Sequence, residues 1–292
     1  MGANKMGDIV GANKMGDIVY SKESPLVLID TSYYIFYRYN ATLKWWEFQK
    51  KGETIDFKSL HTNDIFVSSF KKHVIADIAK LRKRWSVGEK NVLFCLDVPR
   101  DTIWRNEVYP VYKSTREQAS TFNREIFPLF YKFLENELKY SSVTGKSLEA
   151  DDVIYITSKY LANVQDFRQR IYVISNDNDY LQMRGGLVEI HNMSGKSSDL
   201  AKRSVGDPRQ DLLIKVLRGD PSDNISQVCA KIGVKTAAKL AQLSDAEILA
   251  WASAKGAECL ANYMRNRLLI SFEHIPQDLA QAFLNKYTFK PV

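Results

Sequence analysis

Three short apolar runs, each leading straight into acidic residues, most limit what this chain can fold into. Pro25-Leu26-Val27-Leu28-Ile29 ends on Asp30. Asn91-Val92-Leu93-Phe94-Cys95-Leu96 ends on Asp97. Arg170-Ile171-Tyr172-Val173-Ile174-Ser175 runs into Asp177 and Asp179. Runs of this length without polar alternation read as strands buried on both faces, and Leu187–His191 adds a short fourth. Between the first two runs, Asn63 to Trp85 carries Phe66, Phe70, Val74, Ile78 and Leu81 at helical spacing. Phe127 to Leu138 and Leu212 to Leu217 also read as helical. Strands alternating with helices predict a mostly parallel α/β sheet, with ligands at its carboxyl edge. Asp30 is then a ligand at that edge or a cap for the helix expected over 33–39.

The densest acidic stretch is Leu148-Glu149-Ala150-Asp151-Asp152, with Val153, Ile154 and Ile156 following. One residue advances a helix by about 100°, so Glu149 and Asp152 share a face and Asp151 lies off it. Three close carboxylates repel one another unless a cation sits among them, although acids also favour the positive end of a helix. Farther on, Gly219-Asp220-Pro221-Ser222-Asp223-Asn224 places two acids in a sharp turn. Asp30, Asp97, Glu149, Asp151, Asp152, Asp177, Asp179, Asp220 and Asp223 are expected to converge. Carboxylates without histidine or cysteine select hard ions, Mg²⁺ with Mn²⁺ as a substitute. So many acids exceed one ion's needs, and two ions suit an in-line phosphoryl displacement.

Composition points the same way. The 292 residues carry a formal net charge of +7, and neutralising the acidic set would leave the remainder more basic still. A basic body around an acidic focus suits polyanionic substrates. No apolar run approaches a membrane span, and no signal peptide is visible, so an intracellular, nucleic-acid-associated protein is expected. Cys95, Cys229 and Cys259 lack paired spacing and read as free thiols in a reducing compartment. The four histidines are scattered, which argues against a zinc site.

Residues 2–10 repeat unchanged at 11–19, so 1–19 is set aside as a duplicated, mobile segment. Residues 20–205 are expected to form the α/β domain, and 206–292 a helical nucleic-acid-binding region. Trp45-Trp46 reads as part of a hairpin turning at Lys51-Gly52, stacking on bases or packing in a patch. Within 99–124, Arg100, Arg105, Lys113, Arg116 and Arg124 alternate with Trp104, Tyr109, Tyr112 and Phe122. That pattern fits a single-strand channel or a plain basic loop. Lys231-Ile232-Gly233-Val234-Lys235-Thr236-Ala237-Ala238-Lys239 reads as a helix–hairpin–helix. There Gly233 would admit a phosphate and Lys235, Thr236 and Lys239 would contact it; helix capping explains the glycine equally well. Gln281, Leu284 and Tyr287 only roughly match a sliding-clamp peptide, so neither a clamp nor a single-strand-binding protein is supported as a partner.

The order of these motifs resembles the flap endonuclease / 5′-3′ exonuclease family, above all its T-even phage ribonuclease H branch. The matching stretches are Leu28-Ile29-Asp30, Phe94 to Asp97, Glu149 to Asp152, Ser175 to Asp179 and Gly219 to Asn224, followed by the hairpin. Ile103-Trp104-Arg105, Tyr112-Lys113 with Arg116, and Leu269 to Pro276 add to it. The resemblance implies a PIN-like sheet, a helical arch over the site at about 99–124 and a C-terminal duplex-binding region. It implies that Asp97, Glu149 and Asp151 hold a first ion, with Asp30 and Asp152 near it through water. Asp177, Asp179, Asp220 and Asp223 would hold or orient a second. Lys113 and Arg116 would contact the scissile phosphate, and Arg38 would contact DNA. The implied activity is structure-specific hydrolysis of DNA, and of RNA in RNA–DNA hybrids, by a monomer acting on 5′ flaps in primer removal, replication or repair. A PIN-type endoribonuclease and a catalytically inactive DNA-binding relative are the alternatives.

Overall fold

The computed structural model describes residues 16–115, 122–197 and 204–292. Its centre is a five-stranded parallel sheet. The strands are β2 (Leu26–Asp30), β3 (Val92–Cys95), β4 (Ser141–Val143), β5 (Ile171–Ile174) and β6 (Val188–His191), in the order β4-β3-β2-β5-β6. β2 is central, with Val27 opposite both Val92 and Tyr172. Its alternate residues divide between two cores. Leu26 and Leu28 join one with Leu93 and Val173, whereas Val27 and Ile29 join the other with Phe94 and Ile174. Burial on both faces is why these runs lack polar alternation. β4 escaped the sequence reading because Ser141-Ser142-Val143 is short and polar.

Helices α1 (Thr31–Gln49), α2 (Asp64–Trp85) and α4 (Ile126–Phe133) cover the second face. Asp30 caps α1 by accepting from Tyr33 N at 3.0 Å, and Asn63 caps α2 by accepting from Phe66 N at 3.0 Å. α1 runs straight through Trp45 and Trp46, which corrects the expected hairpin. Trp46 packs edge-on against Phe66 in the core, which keeps this stretch helical, and the turn at Lys51-Gly52 follows the end of the helix instead of joining two strands. α3 (Arg105–Val108) is a single turn after β3, and α5 (Ala150–Asn163) packs on the first face.

Beyond the sheet lie α6 (Pro208–Arg218), α7 (Val234–Leu240), α8 (Asp245–Ala254), α9 (Ala257–Ile270) and α10 (Gln277–Lys286). α6 to α9 share a third core, to which Ile103 and Tyr112 of the segment after β3 contribute, whereas α10 packs through Phe283 on the first. Cys229 and Cys259 are joined in a disulfide, Cα atoms 5.1 Å apart, which corrects the expectation of three free thiols. The bond joins positions 30 residues apart, a pairing that spacing alone does not reveal. Cys95 remains free and buried.

The reading of 1–19 as lying outside the fold is corrected in part. β1 (Gly16–Tyr20) pairs in parallel with β7 (Tyr287–Pro291), and Ile18 and Tyr20 are buried. The rest of the repeat, 1–15, lies outside the described residues. Ile18→Ala is therefore expected to cost about 2 kcal/mol in a thermal or urea melt. An unchanged melt would mean that the second repeat contributes nothing to the fold.

Candidate metal and phosphate site

The acids gather at the carboxyl edge of β2, β3 and β5. Asp30 ends β2; Ser175 Oγ and Tyr180 OH each donate to its Oδ2 at 3.1 Å. Asp97 follows β3 and accepts from Ala150 N at 2.8 Å, which ties it to the start of α5. Glu149 is not inside the helix as the spacing suggested. It is the N-cap, in a capping box with Asp152. The two side chains share Arg105 and otherwise meet different partners. Glu149 faces the site; Asp152, fully buried, accepts from Trp104 Nε1 at 3.0 Å and from Arg105.

A second group forms where α6 meets the loop after it. Asp179, Asp220 and Asp223 bring oxygens within 4.8 Å of one another, as do Glu149, Asp151 and Asp152. Gly219 makes the turn: its φ is +66°, and a Cβ there would lie 2.4 Å from Ile225 O. Asp177, more exposed, accepts from Asp179 N at 3.0 Å.

Cations are woven between these acids, and of them the sequence reading gave a role only to Lys113. Lys113 pairs with Glu149 and stands 3.8 Å from Asp223. Its φ of +55° is unusual outside glycine and marks a constrained backbone at the site. Tyr112 OH lies 3.0 Å from Glu149 Oε2 and 3.3 Å from Asp223 Oδ2, bridging the two groups. Lys215, from α6, pairs with Asp179 and, at 2.8 Å, with Asp220. Its position five residues before Asp220 was the only available signal. Arg105 lay within a matched stretch but had no role assigned.

The charges set distinct proton affinities. Burial, with the Asp97 charge beside it, pushes Asp30 up to about 7. Burial also raises Asp97, and burial with repulsion from Asp152 and Glu149 holds Asp151 well above the usual range. Burial works upward on Glu149 too, but Lys113 and Arg105 outweigh it and bring that group to about 2. Lys215 likewise outweighs burial and lowers Asp220 to about 2. Clustered oxygens held apart in affinity by mutual repulsion, without histidine or cysteine in either group, fit hard divalent cations.

These shifts predict the pH response in EDTA. The raised acids contribute stability that is complete below the unfolded value, 3.8 for Asp30, and lost as pH rises through about 7. Glu149 and Asp220 contribute stability that is present above 4.5 and 3.8 respectively and lost as pH falls through about 2. The metal-free protein should therefore be most stable near pH 4 and lose about 4 kcal/mol as pH rises to about 7, with Mg²⁺ restoring it. Urea unfolding across that range checks this; a flat profile in EDTA would contradict it.

Arg38 is corrected. It is 8% exposed, and its Nε donates to Asp77 at 2.8 Å. Its charge is neutralised inside the second core, so it is not offered to DNA. Gly233, the N-cap of α7, and Lys235, Thr236 and Lys239 are exposed on one flank, as a phosphate-facing element requires. Arg116 lies outside the described residues.

Comparison with known proteins accords with this geometry. Residues 25–206 match the model of the 5′-3′ exonuclease N-terminal resolvase-like domain. The ribonuclease H of Enterobacteria phage T4 is 26% identical over 240 residues, covering 75% of this chain and 77% of that protein. DNA polymerase I of Bacillus caldotenax is 30% identical over 155 residues, 48% of this chain but only 16% of that much longer protein. Among solved structures, the phage T5 5′-exonuclease with bound zinc superposes with a TM-score of 0.57 at 18% identity, covering 89% of this chain and 96% of that one. A phage T5 flap endonuclease in a pseudo-enzyme-product complex with DNA and metal ions does so equally, at 0.57 and 18%, with the same coverage. At that identity these neighbours speak to the fold.

Proposed function

This chain belongs to the 5′-3′ exonuclease family through its N-terminal resolvase-like domain, and from that footing we propose that it is a structure-specific 5′ nuclease acting on flaps and RNA–DNA hybrids. The observation that carries the reading is the pair of carboxylate groups at one sheet edge, joined by Tyr112 and Lys113. A pair of hard-oxygen sites side by side suits phosphodiester hydrolysis.

Asp97, Glu149 and Asp151, with Asp30 beside them, would hold one divalent ion, and Asp177, Asp179, Asp220 and Asp223 a second. Mg²⁺ is the natural choice and Mn²⁺ its substitute. Bound there, the ions would supply an activated water and neutralise charge on the leaving oxygen. The chain's own residues do the rest. Lys113 would exchange Glu149 for the scissile phosphate and stabilise its developing charge, with Arg116 as its partner. Residues 99–124 would confine the 5′ strand. Gly233, Lys235, Thr236 and Lys239 would seat the duplex backbone, positioning without reading sequence. Primer and flap removal during replication or repair is the process that this activity serves. No described helix is long and apolar enough to cross a membrane.

The test is a 5′-flap duplex labelled separately at the 5′ end and within the duplex, incubated with Mg²⁺, Mn²⁺ or EDTA. Metal-dependent cuts near the junction that leave a 5′-phosphate support the reading. Cleavage confined to single-stranded RNA would favour a PIN-type endoribonuclease. Tight flap binding without turnover under either metal would leave an inactive DNA-binding relative.

A further inference from the structure

Asp152 differs from the acids around it in what already surrounds it. Its Oδ1 accepts from Arg105 Nη2 at 2.7 Å. Its Oδ2 accepts from Arg105 Nη1 at 2.9 Å, Trp104 Nε1 at 3.0 Å and Glu149 N at 3.1 Å. No part of the residue reaches solvent, and Arg105 is only 2% exposed. An oxygen with three donors on it has no lone pair to spare for an ion, and a guanidinium across both oxygens repels one. Asp151, the next residue back, is partly exposed, and among the described residues its Oδ1 accepts only the backbone N–H of Asp152.

The side-chain donors to Asp152 belong to the segment that ends in Lys113. That segment is pinned again at its far end, where Tyr109 OH donates to Asn224 O at 3.2 Å. There Asn224 Nδ2 also donates to Val111 O at 2.9 Å, and Lys113 N to Asp223 O at 2.9 Å. Arg105 Nε is itself held by Leu269 O at 2.8 Å. One end of the span from Trp104 to Lys113 is thus bolted to α5 and α9, and the other to the loop that carries Asp220 and Asp223.

Resting on the nuclease reading above, we infer that Asp152 is a positioning residue and not an ion ligand: through Trp104 and Arg105 it anchors the base of the segment that aims Lys113 at the scissile phosphate. Removing the anchor leaves the first ion site intact and lets Lys113 drift, and misplacement of about 1 Å at a reacting centre costs about 10²-fold in rate.

The experiment uses the full chain. Mn²⁺ is titrated without nucleic acid by electron paramagnetic resonance, and flap cleavage is resolved into kcat and KM. The variants are Asp151→Asn, Asp152→Asn and Trp104→Phe. Asp151→Asn should weaken the tighter Mn²⁺ site by more than about a hundredfold, whereas Asp152→Asn should weaken it by no more than about tenfold. Asp152→Asn should lower kcat by about tenfold to a hundredfold with KM little changed. Trp104→Phe, which keeps every charge, should move kcat in the same direction by less. If Asp152→Asn does not fold, Trp104→Phe carries the test, because Trp104 donates to Asp152: Mn²⁺ affinity as in wild type with a lowered kcat is then the expected result. Loss of Mn²⁺ affinity in Asp152→Asn equal to that in Asp151→Asn would overturn the assignment, as would unchanged kcat in both Asp152→Asn and Trp104→Phe. Asp151→Asn without effect on Mn²⁺ would overturn the ion site itself, a separate failure.

Discussion

Glu149→Gln should abolish cleavage of a 5′-flap duplex while leaving the flap bound. Glu149 is an acid on which two cations and a hydroxyl meet: Lys113, Arg105 Nη1 at 2.8 Å and Tyr112 OH at 3.0 Å all converge on it. The amide keeps the size and the contact with Tyr112 but removes the charge that would hold an ion. The expected fall in kcat is at least about 10³-fold, equivalent to about 4 kcal/mol of transition-state stabilisation. Flap binding measured in Ca²⁺ or EDTA should stay within a few-fold, because the exposed residues of α7 are untouched. Single-turnover kinetics beside a binding titration separate the two effects. Near-wild-type turnover would remove Glu149 from the chemistry, and lost binding would give it a different role.

Arg105→Ala should be the most damaging change to stability among the site's charged residues. The guanidinium neutralises Asp152 and Glu149, 0% and 5% exposed, and its Nε also satisfies the carbonyl of Leu269. Removing it leaves Asp152 without a counter-charge, leaves Glu149 with Lys113 alone, and strands a carbonyl. Breaking a buried pair by deleting one partner costs about 3–5 kcal/mol, because the remaining charge keeps its full desolvation penalty. For a chain of this length that is a fall in melting temperature of roughly 10 °C. Arg105→Lys should recover only part of it, since an ammonium cannot bridge both Asp152 oxygens as the planar fork does. A melt within a degree or two of wild type for Arg105→Ala would show that water or a rearranged lysine replaces the guanidinium.

The parallel sheet was legible because its strands carry their burial in their composition. Val27, Leu28 and Ile29 leave a strand no polar face, and Asp30 at its end reads as an edge residue wherever the strand is placed. The acids that face the site were legible for the same reason: oxygen donors at strand ends and in a Gly/Pro turn are local features. What misled the sequence reading was also local. Lys51-Gly52 does turn, but it follows the end of α1 and joins no strands, because the Trp46 contact with Phe66 holds the preceding stretch in a helix. Arg38 looks like a free basic residue, but Asp77 on α2 claims it. Gly16–Tyr20 looks like a spare copy of a repeat, but β7, at the other end of the chain, takes it into a sheet.

By itself the sequence determined the alternation of elements, the parallel sheet and the identity of most oxygen donors, since hydrophobic periodicity and donor chemistry reside in neighbouring residues. Only the tertiary structure decided which partner each charge receives. Glu149 and Asp152 are three residues apart in one capping box, yet one faces the site beside Lys113 and the other is sealed behind Arg105 and Trp104. The physical reason is that electrostatic interaction depends on distance and burial, and both are set by contacts between segments some forty to a hundred residues apart.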